Sequence, residues 1–325
     1  MEFILHIGHP KCGSSSIQDF FVQNWQFFLK EKVGYVDFDF RVFHKKSSPN
    51  PPVNFLKRFK GGDVSEAEFR ERLEYLLKQG RRAGLRKLIL SAENLSDIFY
   101  PTYFKSYLPS DVRVKVVYYI RRPDDWVLSA WKQWQVKQGH TLQQFVDHNL
   151  ASPIEFYRPV LRTWMTAFPE ADFFVRWMHK STLYNKDLIA DFCHCASLNI
   201  ENKQMVEKRN PSLDYDLLHF FSQHPEIFDS PHDNFPFHIL EKYLGAEVYS
   251  DHNLDPLGYD NRQALLKKHA AEIDWFIEHF FPDVDRNLIL AVKNKKTSED
   301  ANEIKNLSKI QAIIFKLLMQ SLKKS

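Results

Sequence analysis

Cysteine is scarce in this chain: there are three in 325 residues, an odd number. So few argue against a disulfide scaffold and for a reducing compartment. Glycine is scarce too, at ten, so two of them five apart in one short loop suggest a backbone requirement. No apolar run approaches the length of about 18 residues needed to span a bilayer. No basic segment leading into an apolar one precedes the first strand-like run, and the chain therefore reads as cytoplasmic. Neither sign of charge is in excess: 44 basic and 41 acidic residues leave a formal +3. That balance excludes a nucleic-acid coat protein, and any anion site must be local. The remaining composition is ordinarily globular, 44% hydrophobic and 26% charged, in a length able to bury a sizeable core.

Strand-like and helix-like segments alternate along the first two thirds. A short apolar run, "EFILHI", ends at a glycine loop, and "SSIQDFFVQNWQFFLK" follows with helical spacing. Residues 44–63, rich in Pro, Gly, Ser and Lys, read as a surface excursion. Ser65 and Glu68 form a capping-box pattern that opens a helix through about Gly80. Strands are expected at Lys87–Leu90, Arg113–Ile120 and 172–177, with Pro123 at a helix start and helices over 141–150, 153–168 and 186–196. This order predicts an α/β fold with a central parallel sheet covered on both faces. Beyond about residue 210 the pattern is mainly helical, giving a core over 1–213 and a helical extension over 214–325.

Three strand exits are conspicuously polar, at 8–16, 91–97 and 121–129. Ligands of open α/β sheets bind at the carboxyl ends of strands. The first exit, within "HIGHPKCGSSSIQDFF", has the spacing of a Walker A loop between Gly8 and Gly13. Its lysine is displaced, however: Lys11 lies inside the loop and Ser14 follows Gly13. Glycines let the amides turn toward an anion, the following helix adds its positive end, and Ser14, Ser15 and Ser16 add hydroxyls. Arg121 closes its strand and Ser129 follows two helical turns later, a pair able to clamp one phosphate. Glu93 at the middle exit is placed as a general base, although a turn or capping acid would look the same.

Together these segments resemble the sulfotransferases that use 3′-phosphoadenosine 5′-phosphosulfate (PAPS). Pro10, Lys11, Gly13, Ser14 and Ser15 match the family's P-K-x-G-[ST]-[ST] signature, with Cys12 where Ser or Thr is usual. Arg121, Ser129 and Trp131 match the second signature, and "SAENLS" and "KRNPSL" are similar to elements of bacterial members. The resemblance covers residues 2–213 and implies a three-layer fold like that of P-loop NTPases. It implies PAPS as donor and 3′,5′-adenosine bisphosphate as product, held by Lys11, Cys12, Gly13, Ser14, Ser15, Ser16, Arg121 and Ser129. No metal is required, because the migrating sulfuryl group carries less charge than a phosphoryl group. Lys11 would stabilise the leaving phosphate and Glu93 would be the base, with His9 or His140 next in line. The Arg-Lys-Gly element of the animal enzymes for small phenols is missing. A glutamate at the base position is similar to many glycan O-sulfotransferases, so a carbohydrate or glycolipid hydroxyl is the expected acceptor.

Other readings compete less well. A cysteine phosphatase needs an arginine six residues after Cys12, and that position is Gln18. Cys193, His194 and Cys195 fall on a helix where residues two apart point in divergent directions, so buried thiols are expected rather than a metal site. The basic tail 302–325 suits a helix docked on its own domain better than one lying on a membrane. Trp126, Trp131 and Trp134 are candidates to line an acceptor cleft. A P-loop kinase and a non-catalytic binder on the same fold are the alternatives from other functional classes.

Overall fold

A computed structural model describes residues 1–152, 156–201, 203–204, 213–245 and 255–292. The chain opens with β1 (Glu2–Ile7), α1 (Ser14–Gln23), α2 (Trp25–Lys30), β2 (Val33–Tyr35), α3 (Val53–Gly61) and α4 (Glu66–Arg82). Next come β3 (Lys87–Ala92), α5 (Tyr100–Tyr107), β4 (Arg113–Ile120), α6 (Pro123–Ala130) and α7 (Leu142–Ala151). Then follow α8 (Arg158–Ala167), β5 (Asp172–Trp177), α9 (Leu188–Cys195) and α10 (Tyr215–Gln223). The last described helices are α11 (Phe235–Leu244), α12 (Tyr259–Lys268), α13 (Ala270–Phe280) and α14 (Arg286–Leu290).

All five strands are parallel, in the order β2-β3-β1-β4-β5. In register, Leu5 of β1 faces Leu90 of β3 on one side and Val116 of β4 on the other. Phe3 to Leu5 and Ile7 are fully buried, which explains why β1 reads as a continuous apolar run: both of its faces are covered. On one face His6 and α1's Phe21 pack against Phe192 of α9. On the other, Phe3, Phe69 and Trp164 pack around Phe104 of α5. Strand order reverses at β1, and its carboxyl end is the crevice where such sheets take ligands. The expected α/β fold with a P-loop-like three-layer core is what the chain adopts.

Several local expectations hold and others change. Ser65 caps α4 by accepting from the Glu68 amide at 3.2 Å, and Pro123 stands at the first position of α6. The helix expected to run on from Ser14 breaks at Asn24, whose side chain donates to Phe20 O at 2.9 Å and Gln204 O at 2.8 Å. The surface excursion over 44–63 contains α3, anchored by buried Leu56 and Phe59. Strand β2 is a short edge strand that the sequence pattern did not announce.

The chain forms two compact units. The first comprises Met1–Arg121, Glu155–Arg209 and Glu272–Ile289, and holds the whole sheet. The second comprises Arg122–Ile154, Asn210–Ala271 and Leu290–Ser325. These units do not follow one cut after residue 213. Val127, Trp131 and Val146 share a buried cluster with Leu217, Phe221 and Leu265, which draws α6 and α7 toward the later helices. In that unit Arg262 bridges Asp124, Asp125 and Asp255, while Arg122 clasps Asp124. No described residue after Trp177 lies in a sheet strand. No helix among the described residues is long and apolar enough to cross a membrane. The basic tail and residues 208–212 of "KRNPSL" lie outside the described residues.

Candidate active site

The three polar strand exits belong to the three central strands, β3, β1 and β4, which lie side by side. Gly8 is tied to the β3 exit by its amide, which donates to Ala92 O at 3.2 Å. A Cβ on Gly8 would stand 2.6 Å from Ser14 Oγ and 3.3 Å from the Ala92 carbonyl, so glycine gives the returning loop its room here. Gly13, with φ of 82°, turns the chain into α1. A Cβ there would meet Leu188 of α9 at 2.4 Å. Lys11 also has a positive φ, 66°, inside this tight turn.

This loop forms a cradle. Among the described residues no side chain caps α1, so its first amides and positive end are presented at the loop. Ser14 Oγ is buried and has no hydrogen-bond partner among the described residues. An orphaned hydroxyl at an uncapped helix start, beside two glycines that clear the space, fits an anionic oxygen. Ser15 is exposed and Ser16 half-buried on the same first turn.

Three charged groups meet at the cradle. Burial and the nearby Arg121 guanidinium lower the pKa of Lys11, while Glu93 and Cys12 oppose that shift. Burial raises Glu93 above the ordinary carboxylate range, and Lys11 pulls it back. Glu93 stands at the first position after β3, and among the described residues its carboxylate accepts no hydrogen bond. Arg121, the residue after β4, donates from Nη1 to Lys11 O at 3.0 Å. It makes no ion pair among the described residues. The aspartates expected to compete for it are taken by its neighbour Arg122 and by Arg262. Lys11, Glu93 and Arg121 are therefore brought together; Ser129 lies on α6 and belongs to the second unit.

Beneath the loop, Cys12 is turned inward. Its thiol is buried and pushed up to about 12, with the Tyr157 hydroxyl against it, and its amide donates to His9 O at 3.1 Å. The Cys12 side chain thus supports the loop from below. The His9 ring packs against Tyr157 in a tilted contact with centroids 4.5 Å apart, and burial lowers its pKa to about 4. His140, in the second unit, holds Gln135 Oε1 at 2.6 Å. Trp131 is core rather than cleft: it is fully buried and donates from Nε1 to His140 O at 2.9 Å. Cys193 and Cys195 are the buried thiols expected, while His194 is exposed and stacks on Tyr184.

Two supporting residues carry no motif and escaped the sequence reading. The Tyr157 hydroxyl accepts from the Arg121 amide at 3.3 Å. The carboxylate of Glu272, on α13, accepts from the amides of Phe156 at 3.1 Å and of Tyr157 and Arg158 at 2.8 Å. Glu272 thereby caps the start of α8 from far along the chain and fixes Tyr157 under the loop. A third buried group, His6 with Ser91 Oγ at 2.7 Å, joins β1 to β3 just below the site, with Gln18 donating to the same hydroxyl.

No protein-family model and no curated protein matches the chain. Among solved structures it is similar to a sulfotransferase from Alicyclobacillus acidocaldarius, at 17% identity and a TM-score of 0.36, over 67% of this chain and 90% of that one. A retinol dehydratase in complex with androsterone and the inactive cofactor PAP superposes with a TM-score of 0.28 at 12% identity, over 98% of this chain and 80% of that one. Its complex with retinol and PAP gives 0.29 at 14% identity, over 87% and 82%.

Proposed function

We propose that the chain is a sulfotransferase that takes PAPS as donor and passes its sulfuryl group to a hydroxyl of a carbohydrate or glycoconjugate. The observation that carries this reading is the meeting of an anion cradle with its internal lysine, a carboxylate of raised pKa and an arginine at three adjacent strand ends. The amides opening α1, with Ser14, Ser15 and Ser16, suit the 5′-phosphate. Arg121, uncommitted to any described acid, suits the 3′-phosphate; Ser129 enters by its sequence spacing from Arg121 alone. The donor supplies a sulfuryl group already attached to a phosphate leaving group.

Glu93 takes the proton of the acceptor hydroxyl while that oxygen forms its bond to sulfur. Lys11 stabilises the negative charge gathering on the phosphate oxygen as the old sulfur–oxygen bond breaks. Burial raises the pKa of Glu93 and so makes it a stronger base than a free carboxylate, while the charge of Lys11 beside it opposes that rise. Lys11 works from within the loop, where it can reach the bridging oxygen without a metal. Support for a glycan acceptor comes from the sequence resemblance, in which a glutamate rather than a histidine holds the base position. The test is a screen of glycan, glycolipid and small phenolic acceptors with PAPS labelled in its sulfuryl group. Label transferred to a sugar hydroxyl is the expected result. Transfer to phenols alone would move the acceptor class, and no transfer to any acceptor would count against the sulfotransferase reading.

A further inference from the structure

A second concentration of charge lies at the opposite, amino edge of the sheet. Parallel register sets Glu2 of β1 beside Lys87 of β3 and Arg113 of β4. Side chains in register share a face, and Lys115, two residues along β4, shares it too. One carboxylate is thus surrounded by three cations. Glu2 pairs with Lys87 at 3.3 Å and with Lys115 at 3.4 Å, and both Glu2 and Lys115 are largely buried. Lys87 is further committed to Ala196 O and Ser197 O at the end of α9, at 2.7 and 2.8 Å.

A cavity of about 520 Å³ opens at this place, lined by Glu31, Arg86, Lys87, Arg113, Ser197 and Asn199 among others. Its second acid, Glu31, is held by Lys203 at 2.7 Å. Both carboxylates are therefore already neutralised by lysines. Arg86 and Arg113 also line the cavity and make no ion pair among the described residues. Two guanidiniums beside the half-buried Lys87 leave a positive excess that an oxyanion would complete with charge-assisted, bidentate bonds. The volume falls in the range of small-molecule sites and exceeds the need of a bare ion.

We propose that this cavity binds a small organic anion bearing a phosphate or sulfate ester, held by Arg86 and Arg113. The site stands apart from the carboxyl-edge cradle and does not depend on the sulfotransferase reading. The experiment is calorimetry on Lys11→Ala protein, in which the cradle is weakened, titrated with glucose 6-phosphate, glucose 6-sulfate and inorganic phosphate. Sodium chloride at matched ionic strength is the control. Saturable binding of at least one ester is expected. The Arg86→Ser/Arg113→Ser double variant should lose about tenfold or more in affinity, the effect of removing charged hydrogen bonds, while Arg86→Lys/Arg113→Lys, which keeps the charge, should lose less. The two ester arms separate a phosphate from a sulfate ligand. No saturable heat beyond the chloride control would overturn the proposal. So would affinity unchanged in the double serine variant.

Discussion

Glu93 and Lys11 shift each other's ionisation, and this coupling has a measurable consequence. The proposed mechanism requires Glu93 ionised, and its pKa lies above the ordinary carboxylate range. The acid limb of kcat/KM should therefore fall at a higher pH than a free glutamate would give. The same mechanism requires Lys11 charged, and its pKa is lowered, so the alkaline limb should begin below the ordinary lysine range. A pH profile narrowed from both sides is expected. Glu93→Gln should remove the acid limb and lower turnover by about 10²–10⁴-fold, with product affinity nearly unchanged. Near-normal turnover in this variant would place the base elsewhere. Gly13 makes a different demand: its φ is 82° and a Cβ would meet Leu188 at 2.4 Å. Gly13→Ala should cost about 1 kcal/mol or more in chemical denaturation, from positive-φ strain together with this contact.

At the scale of elements, the site depends on a buried chain of support. Glu272 holds the amides that start α8, Tyr157 follows, and its hydroxyl meets the Arg121 amide with Cys12 alongside. Glu272→Ala leaves those amides without their acceptor and should cost about 2–3 kcal/mol in urea denaturation. A loss below half a kcal/mol would mean that water or a neighbour replaces the carboxylate. Such support was not legible in the sequence, because Glu272 and Tyr157 lie more than a hundred residues apart and carry no motif. The strand exits were legible because glycine loops, strand-end arginines and capping residues act over a few positions. Edge strand β2, only three residues long, gave too short a pattern. Helix α3 was hidden by the prolines and glycines that flank it, although Leu56 and Phe59 bury its inner face. Arg121 and Arg122 looked alike in sequence; only the fold shows that Arg122 takes the aspartates and leaves Arg121 without an acid partner among the described residues.

For the whole molecule, alternating strands and helices announced a parallel sheet, and the crossover order then set β1 between β3 and β4. The two-unit division could not be read along the chain, because α6 and α7 join helices more than sixty residues later through buried Trp131 and Leu217. The first unit alone contains Lys11, Glu93 and Arg121, so the central claim can be tested on ligand binding without knowing the acceptor. That claim is a metal-independent site for PAPS and its product. The most direct measurement is calorimetry of the full chain with 3′,5′-adenosine bisphosphate in EDTA, repeated with Arg121→Ala and with adenosine 5′-phosphate. The account predicts binding without metal, and a loss in Arg121→Ala much larger for the bisphosphate than for adenosine 5′-phosphate. No binding of the bisphosphate in EDTA, with tight binding of ATP and Mg²⁺ instead, would contradict it.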